Sequence, residues 1–132
     1  MKKSIMLGML ISVILMSCSK TKTSAFTGTY NGSGGSNTIN RVVINTSGSN
    51  LQLQLQVNVS GAYYTFATIQ NAVPSSSNTL TVNENGLIFG STDSYHFVGS
   101  GVLNGNTLTL TGSATNNTNS SDVRAYYFSG SK

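Results

Sequence analysis

The sequence has 132 residues, which suits one small domain. Only 8% of the residues are charged, against about 25% in an ordinary soluble domain, and Ser, Thr, Asn and Gly take their place. The formal net charge is +4, but two of the seven basic residues, Lys2 and Lys3, fall in an N-terminal leader. The remaining basic residues form no stripe along the chain, so we expect no nucleic acid partner.

The first 17 residues have the features of a secretory signal peptide. A positively charged start is followed by an apolar run at residues 5–16, which is shorter than the ~20 residues of a membrane-spanning helix. The run ends at Leu15-Met16-Ser17-Cys18, and Cys18 is the single cysteine of the chain. This segment resembles the lipobox of bacterial lipoproteins.

The lipobox resemblance implies a membrane anchor. The leader would be cut between Ser17 and Cys18, and Cys18 would carry a diacylglycerol thioether and an acylated amine. Several acyl chains hold a protein firmly, since each buried CH₂ contributes about 0.8 kcal/mol. Ser19 replaces the Asp that retains members of this family in the inner membrane, which implies the outer membrane and leaves open which side the protein faces. Residues 18–24 then form the lipidated cysteine and a flexible polar tether.

Residues 25–132 are predicted to form one all-β domain, because apolar and polar residues alternate along them with the period of a half-buried strand. In Leu51–Val59 every second residue is Leu or Val, and the residues between are Gln or Asn. This pattern predicts a core face and a wet face. The predicted strands are Ala25–Asn31, Ile39–Thr46, Leu51–Val59, Ala62–Asn71, Thr79–Val82, Leu87–Phe89, the two arms of Ser94–Ser113, and Val123–Ser129.

Three dipeptides predict tight turns between these strands. Asn104-Gly105 divides Ser94–Ser113 into two alternating runs, the strongest short-range signal for a β-hairpin with a type I′ turn. Ser60-Gly61 and Asn85-Gly86 are predicted to turn the chain in the same way. The result is an antiparallel up-and-down meander of eight or nine strands, and closing it into a small barrel removes its exposed edges.

The interior of such a barrel is either filled by side chains or holds one small ligand. The apolar residues predicted to face it decide between these outcomes. They are Leu53, Leu55, Val57, Tyr64, Phe66, Phe97, Leu108 and Leu110.

The segment Phe26-Thr27-Gly28-Thr29-Tyr30 resembles the start of lipocalin-like barrels, in which a Phe-x-Gly-x-Trp segment opens the first strand and a late Arg packs across the Trp. Here Tyr30 takes the Trp position and Arg124 is the candidate Arg. The resemblance implies a closed barrel that binds a small apolar molecule. On this basis Tyr64, Phe66, Phe97 and Tyr127 are candidate ligand-binding residues. The alternative is that Phe26 and Tyr30 are ordinary core residues.

The residues that support catalysis are few. His96 is the single histidine and is predicted to lie mid-strand, facing solvent or hydrogen-bonded. Glu84, Asp93 and Asp122 are the three acidic residues and are predicted to belong to turns. We therefore expect no enzymatic activity, no metal site and no cofactor, because a catalytic relay needs a base, an orienting carboxylate and a nucleophile together.

Two non-enzymatic functions remain open. The first is a monomeric envelope lipoprotein that binds a small apolar ligand inside its barrel. The second is a surface module that binds a glycan or a protein through outward-facing Tyr and Asn residues. The pairs Tyr63-Tyr64 and Tyr126-Tyr127 favour the second, since neighbouring strand residues point to opposite faces and each pair puts one ring outside.

Overall fold

The computed structural model describes residues 23–132, which form one closed barrel of eight antiparallel strands. Each strand pairs with the next one in the chain, and β1 pairs with β8 to close the barrel. The predicted all-β fold and its up-and-down meander are confirmed. The strands are β1 Gly28–Gly32, β2 Arg41–Ser47, β3 Asn50–Val59, β4 Ala62–Pro74, β5 Thr79–Leu87, β6 Ser94–Asn104, β7 Thr107–Asn116 and β8 Val123–Ser131.

The predicted signal peptide, its cleavage position at Ser17, the lipidated Cys18 and the first part of the tether lie outside the described residues. Among residues 23–132, the structure contains no helix with the length and apolar character needed to cross a membrane.

Residues 23–27 form an arm that caps one end of the barrel. The prediction of a strand from Ala25 is wrong, because residues 23–26 are helical and β1 begins at Gly28. Phe26 is buried in the core, and its carbonyl accepts a hydrogen bond of 2.8 Å from the Tyr30 hydroxyl. The Lys132 ammonium donates to the carbonyls of Ala25 and Thr27 at 3.0 and 3.1 Å. The two chain ends of the barrel are therefore joined to each other.

The meander gives the barrel two distinct ends. The arm end carries the arm, the turns after β2, β4 and β6, and the end of β8. The loop end carries the connections after β1, β3, β5 and β7. The loop end has three of the longest connections, at residues 33–40, 88–93 and 117–122, so it has the larger irregular surface.

The predicted hairpins at Asn104-Gly105 and Ser60-Gly61 are confirmed, and the first of them has a different turn geometry from the one predicted. The β6–β7 pairing runs to Asn104↔Thr107, so Gly105-Asn106 form the turn, and among them only Gly105 has a positive φ. That is the pattern of a type II′ turn, which needs glycine only at its first central position. Ser60 and Gly61 both have positive φ, at 53° and 90°, as a type I′ turn requires.

The predicted turn at Asn85-Gly86 is wrong. Both residues lie within β5 and pair with His96 and Tyr95 of β6. Gly86 sits where a Cβ would come within 3.2 Å of the Phe97 ring. The glycine therefore makes room for a core aromatic and does not reverse the chain, and residues 79–87 form one strand.

The predicted core face of β3 is confirmed only along the body of the barrel. Leu51, Leu53 and Leu55 are fully buried, whereas Val59 is exposed. The reason lies in the neighbouring strands. The β2–β3 ladder ends at Arg41↔Gln56, so the tip of the β3–β4 hairpin projects beyond β2 and its side chains have less to pack against.

Candidate functional site

The inner face of the barrel is packed by its own side chains. Five of the residues predicted to face it have no accessible surface: Leu53, Leu55, Phe97, Leu108 and Leu110. A side chain beside a water-sized void would keep some accessible surface, so each of these five is enclosed by neighbouring atoms. At these positions the barrel is filled.

Tyr126 completes this packing by lying across two facing glycines. Gly99 of β6 pairs with Gly112 of β7, and a Cβ on either residue would overlap the Tyr126 hydroxyl. The hydroxyl donates to the Val98 carbonyl at 3.2 Å, and the ring centroid lies 6.4 Å from that of Phe97. Burial raises the pKa of Tyr126 to about 12, since the interior disfavours the phenolate.

The four candidate ligand-binding residues do not form one site. Phe97 is fully buried and Phe66 is half-buried against the core. Tyr127 is 36% exposed on β8 and Tyr64 is 53% exposed on β4. The prediction that Tyr64 lines a closed interior is wrong. It pairs with Val57 near the tip of the β3–β4 hairpin, where no neighbouring strand covers it.

The basic residues contact tyrosines, but not the ones expected. Arg124 lies over the ring of Tyr95, with 5.1 Å from Cζ to the centroid, and Lys132 lies 5.3 Å from the centroid of Tyr30. The expected packing of Arg124 across Tyr30 is therefore wrong. The cation near Tyr30 comes instead from the end of the chain, because β8 meets β1 only at its last residues.

His96 and Glu84 are used in hydrogen bonds that support the sheet. His96 Nδ1 lies 3.1 Å from the side-chain oxygen of Asn85 on the neighbouring strand. Glu84 accepts the backbone N–H groups of Gln70 and Asn71, the second at 3.0 Å. Within residues 23–132, His96 has no hydrogen bond to a carboxylate or a hydroxyl group, and Glu84 has none to a histidine.

Asp93 and Asp122 meet at the loop end through the buried Asn116 amide. The Asn116 NH₂ group donates to Asp93 at 2.9 Å and to Asp122 at 3.4 Å. Asp122 also accepts a 2.7 Å hydrogen bond from Tyr95 and one of 3.3 Å from Arg124. The hydrogen bond from Tyr95, followed by that from Arg124, lowers the pKa of Asp122. These contacts tie two loops to the barrel, which is a structural role.

No group of three or more His, Cys, Asp or Glu residues in the described part of the chain is arranged to hold a metal ion. The acidic side chains there are engaged by backbone or side-chain donors.

A groove opens on the outer surface between β4 and β5. These strands pair only at Val73↔Thr81 and Pro74↔Leu80, and again through a single bridge between Ala67 and Ile88. Between these points the strands separate and leave a groove of about 440 Å³, a size found for small-molecule sites, which span roughly 300–1,000 Å³. Its lining residues are Thr65, Phe66, Ala67, Thr68, Gln70, Asn85, Gly86, Leu87 and Phe89.

Two of the lining residues are strongly exposed apolar side chains at the loop end. Leu87 is 62% exposed and Phe89 is 80% exposed. Large apolar side chains that are exposed together beside a cleft are typical of a binding surface. Neither residue was a candidate from the sequence. The available signal was the run Leu87-Ile88-Phe89, since three consecutive large apolar residues cannot all face one side of a strand.

Exposed apolar side chains also occupy the hairpin tip beside this groove. Val59, Tyr63 and Tyr64 are exposed there, and the Arg41 guanidinium lies 3.8 Å from the centroid of the Tyr63 ring. Tyr63 and Tyr64 are consecutive residues of β4 and therefore point to opposite faces of the sheet. We refer to the exposed pair Leu87 and Phe89, which line the groove, as the loop-end patch.

Comparison of the chain with protein-family models, with curated proteins and with solved structures found no match in any of the three.

Proposed function

We propose that this chain is a lipid-anchored, non-enzymatic lipoprotein of the bacterial cell envelope that binds a glycan or protein partner through its outer surface at the loop end. The anchor rests on the lipobox-like segment that ends at Cys18. The outer membrane is the proposed location, because Ser19 follows that cysteine.

The position of the arm supports an orientation in which the loop end faces away from the membrane. The proposed anchor precedes the arm by only a few residues, and the arm is attached to the arm end by the hydrogen bonds of Lys132 to Ala25 and Thr27. A short tether keeps that end near the membrane surface. The loop end would then face away from the membrane, toward a partner.

The contrast in burial between the inner and outer faces carries the proposal. Leu53, Phe97 and Leu110 inside the barrel have no accessible surface, whereas Leu87 and Phe89 outside it are among the most exposed large apolar residues described. The small recess of about 60 Å³ beside Val57, Phe66 and Tyr126 is far below the size of a small-molecule site. A larger apolar ligand inside the barrel would have to displace packed side chains. A partner on the loop-end patch would cover apolar surface that is otherwise in water, which is favourable.

The proposal is tested with matched pairs of exposed apolar residues. Full-length protein is extracted from its own envelope and immobilised, and the envelope glycans and proteins that it retains are measured. We expect Leu87→Ser with Phe89→Ser to lower retention by about tenfold or more, because exposed apolar anchors carry much of the binding free energy. Val73→Ser with Val102→Ser, at exposed positions of β4 and β6 toward the arm end, should leave retention unchanged.

Two results would contradict surface binding. One is an equal loss of retention in both double variants. The other is an apolar molecule that accompanies the wild-type protein in native mass spectrometry and stays bound when Leu87 and Phe89 are replaced. The anchor is tested separately, since Cys18→Ala should abolish incorporation of labelled palmitate and release the protein from the membrane fraction.

A further inference from the structure

The groove between β4 and β5 is held open by a specific arrangement of backbone and side chain. Gln70 and Asn71 form a bulge in β4, since together they oppose Gln52 alone between the pairs Leu53↔Ile69 and Leu51↔Ala72. The two N–H groups of this bulge are accepted by the two carboxylate oxygens of Glu84 on β5. A side chain thus replaces the backbone ladder here, which makes the groove a preformed part of the fold.

The lining of this groove is uncharged. Phe66, Ala67, Leu87 and Phe89 supply apolar surface. The polar side chains are two threonines and two amides: Thr65, Thr68, Gln70 and Asn85. None of these lining residues carries a charge, and the Glu84 carboxylate that spans the two strands is already engaged by the N–H groups of Gln70 and Asn71. The groove therefore offers an anion no complementary partner.

The two amides each present an NH₂ group that has no hydrogen-bond partner within residues 23–132. The Gln70 oxygen accepts from Gln52 at 2.8 Å. The Asn85 oxygen accepts from Asn117 at 3.3 Å and lies 3.1 Å from His96 Nδ1. Because each amide oxygen is held, each side chain has a preferred orientation and its donors remain available at the groove.

These features match one class of ligand. We infer that the groove binds a neutral oligosaccharide, with the Phe89 ring stacking on a sugar face and the amides of Gln70 and Asn85 donating to sugar hydroxyls. This inference rests on the proposed surface-binding function and assigns it a site and a substrate class. An added peptide strand fits less well, because the bulge N–H groups that it would need are already taken by Glu84. A lipid chain fits less well, because it would cover the amides of Gln70 and Asn85 without offering them a hydrogen-bond partner.

Titration calorimetry tests the assignment on the full-length chain. The chain is kept in a polyoxyethylene detergent, which contains no sugar. The probes are neutral hexasaccharides, namely maltohexaose, cellohexaose, xylohexaose, mannohexaose and laminarihexaose, with hexagalacturonate as the acidic comparison. We expect at least one neutral probe to bind and hexagalacturonate not to bind.

Substitutions then locate the site. Loss of ring stacking in Phe89→Ala should weaken binding roughly tenfold. Loss of one neutral hydrogen bond in Gln70→Ala should weaken binding about fivefold. Val102→Ala is the control, because Val102 is also an exposed apolar residue and does not line the groove. Unchanged thermal unfolding of Phe89→Ala would show that the variant is folded.

The carbohydrate assignment is overturned if no neutral probe binds, if hexagalacturonate binds as tightly as the neutral probes, or if Phe89→Ala binds like the wild type. The proposed function has a separate readout. Retention of envelope partners that depends on Leu87 and Phe89, without binding of any neutral probe, would leave surface binding standing and remove the oligosaccharide.

Discussion

The two sides of the barrel are built from the same kinds of residue but differ in regularity. From Tyr95↔Asn116 to Asn104↔Thr107, β6 and β7 pair without a register shift, and β7 pairs with β8 in the same way. On the other side the β3–β4 ladder has two register shifts, and β4 and β5 pair at only two positions before they separate.

The two sides contribute differently to the structure. On the regular side, formed by β6–β8, apolar and polar residues alternate without a break, and the facing glycines Gly99 and Gly112 let Tyr126 pack against the sheet. That side closes the core. On the irregular side, formed by β3–β5, bulges at Phe66 and at Gln70-Asn71 interrupt the alternation of core-facing and outward-facing side chains. That side creates the groove and the loop-end patch, as bulges beside functional sites commonly do.

The largest expected effect on stability distinguishes Phe97 from Tyr64, two aromatic residues that were both predicted to face the barrel interior. Phe97→Ala should lower the free energy of unfolding by about 4 kcal/mol, because it leaves a cavity in the packed core. Tyr64→Ala, at an exposed hairpin tip, should change it by less than about 1 kcal/mol. Urea denaturation followed by circular dichroism measures both. Similar losses for the two variants would contradict the packing described for them.

The glycines of the regular side give the next effect. Gly112→Ala should cost roughly 3 kcal/mol, since its Cβ would overlap the Tyr126 hydroxyl and the Val98 carbonyl. Gly35→Ala is the matched control, because a Cβ there meets no atom within 4 Å, and it should stay within about 0.5 kcal/mol of the wild type. Urea denaturation measures both. A Gly112→Ala protein as stable as Gly35→Ala would show that Tyr126 does not depend on the glycine pair.

Alkaline pH should lower the free energy of unfolding through Tyr126, which packs on the regular side. The Tyr126 phenol ionises near its ordinary pKa of about 10 in the unfolded chain and at about 12 in the folded protein. Between these values the folded state binds more protons, so stability falls as the pH rises, by on the order of 2 kcal/mol. Unfolding measured from pH 8 to pH 12 tests this.

Tyr126→Phe provides the control for that pH dependence, because it removes the ionisable group and keeps the ring. The loss of stability at high pH should become smaller without disappearing, since burial also raises the pKa of Tyr30. If Tyr126→Phe loses as much stability at high pH as the wild type, Tyr126 is not the source of the pH dependence.

The smallest effect concerns the irregular side. Glu84→Ala should cost about 1 kcal/mol, because the N–H groups of Gln70 and Asn71 lose their acceptor but gain access to water at the groove. Hydrogen exchange of these two amides should become faster. Glu84→Gln, which keeps one acceptor oxygen, should be intermediate. Unchanged exchange in Glu84→Ala would mean that the carboxylate does not hold the groove open.

The sequence predicted the local features of the fold well and the outer site poorly. Alternation identified Leu51, Leu53 and Leu55 as core residues, and turn chemistry located the hairpins at Ser60-Gly61 and at Gly105. The same reasoning assigned Tyr64 to the interior and read Asn85-Gly86 as a turn. Both errors depend on contacts with other strands, namely the end of the β2–β3 ladder and the Phe97 ring against Gly86.

The sequence by itself determined the strand type, most strand positions and the meander order, because period-2 alternation and turn residues act over a few neighbouring positions. The lipobox-like segment at Cys18 is likewise a local pattern. Only the tertiary structure decided that the interior is packed at Leu53, Phe97 and Leu110, and that a groove opens beside Phe89. The physical reason is that burial and strand separation depend on register between distant segments, where one extra residue in β4 redirects the side chains and hydrogen bonds that follow.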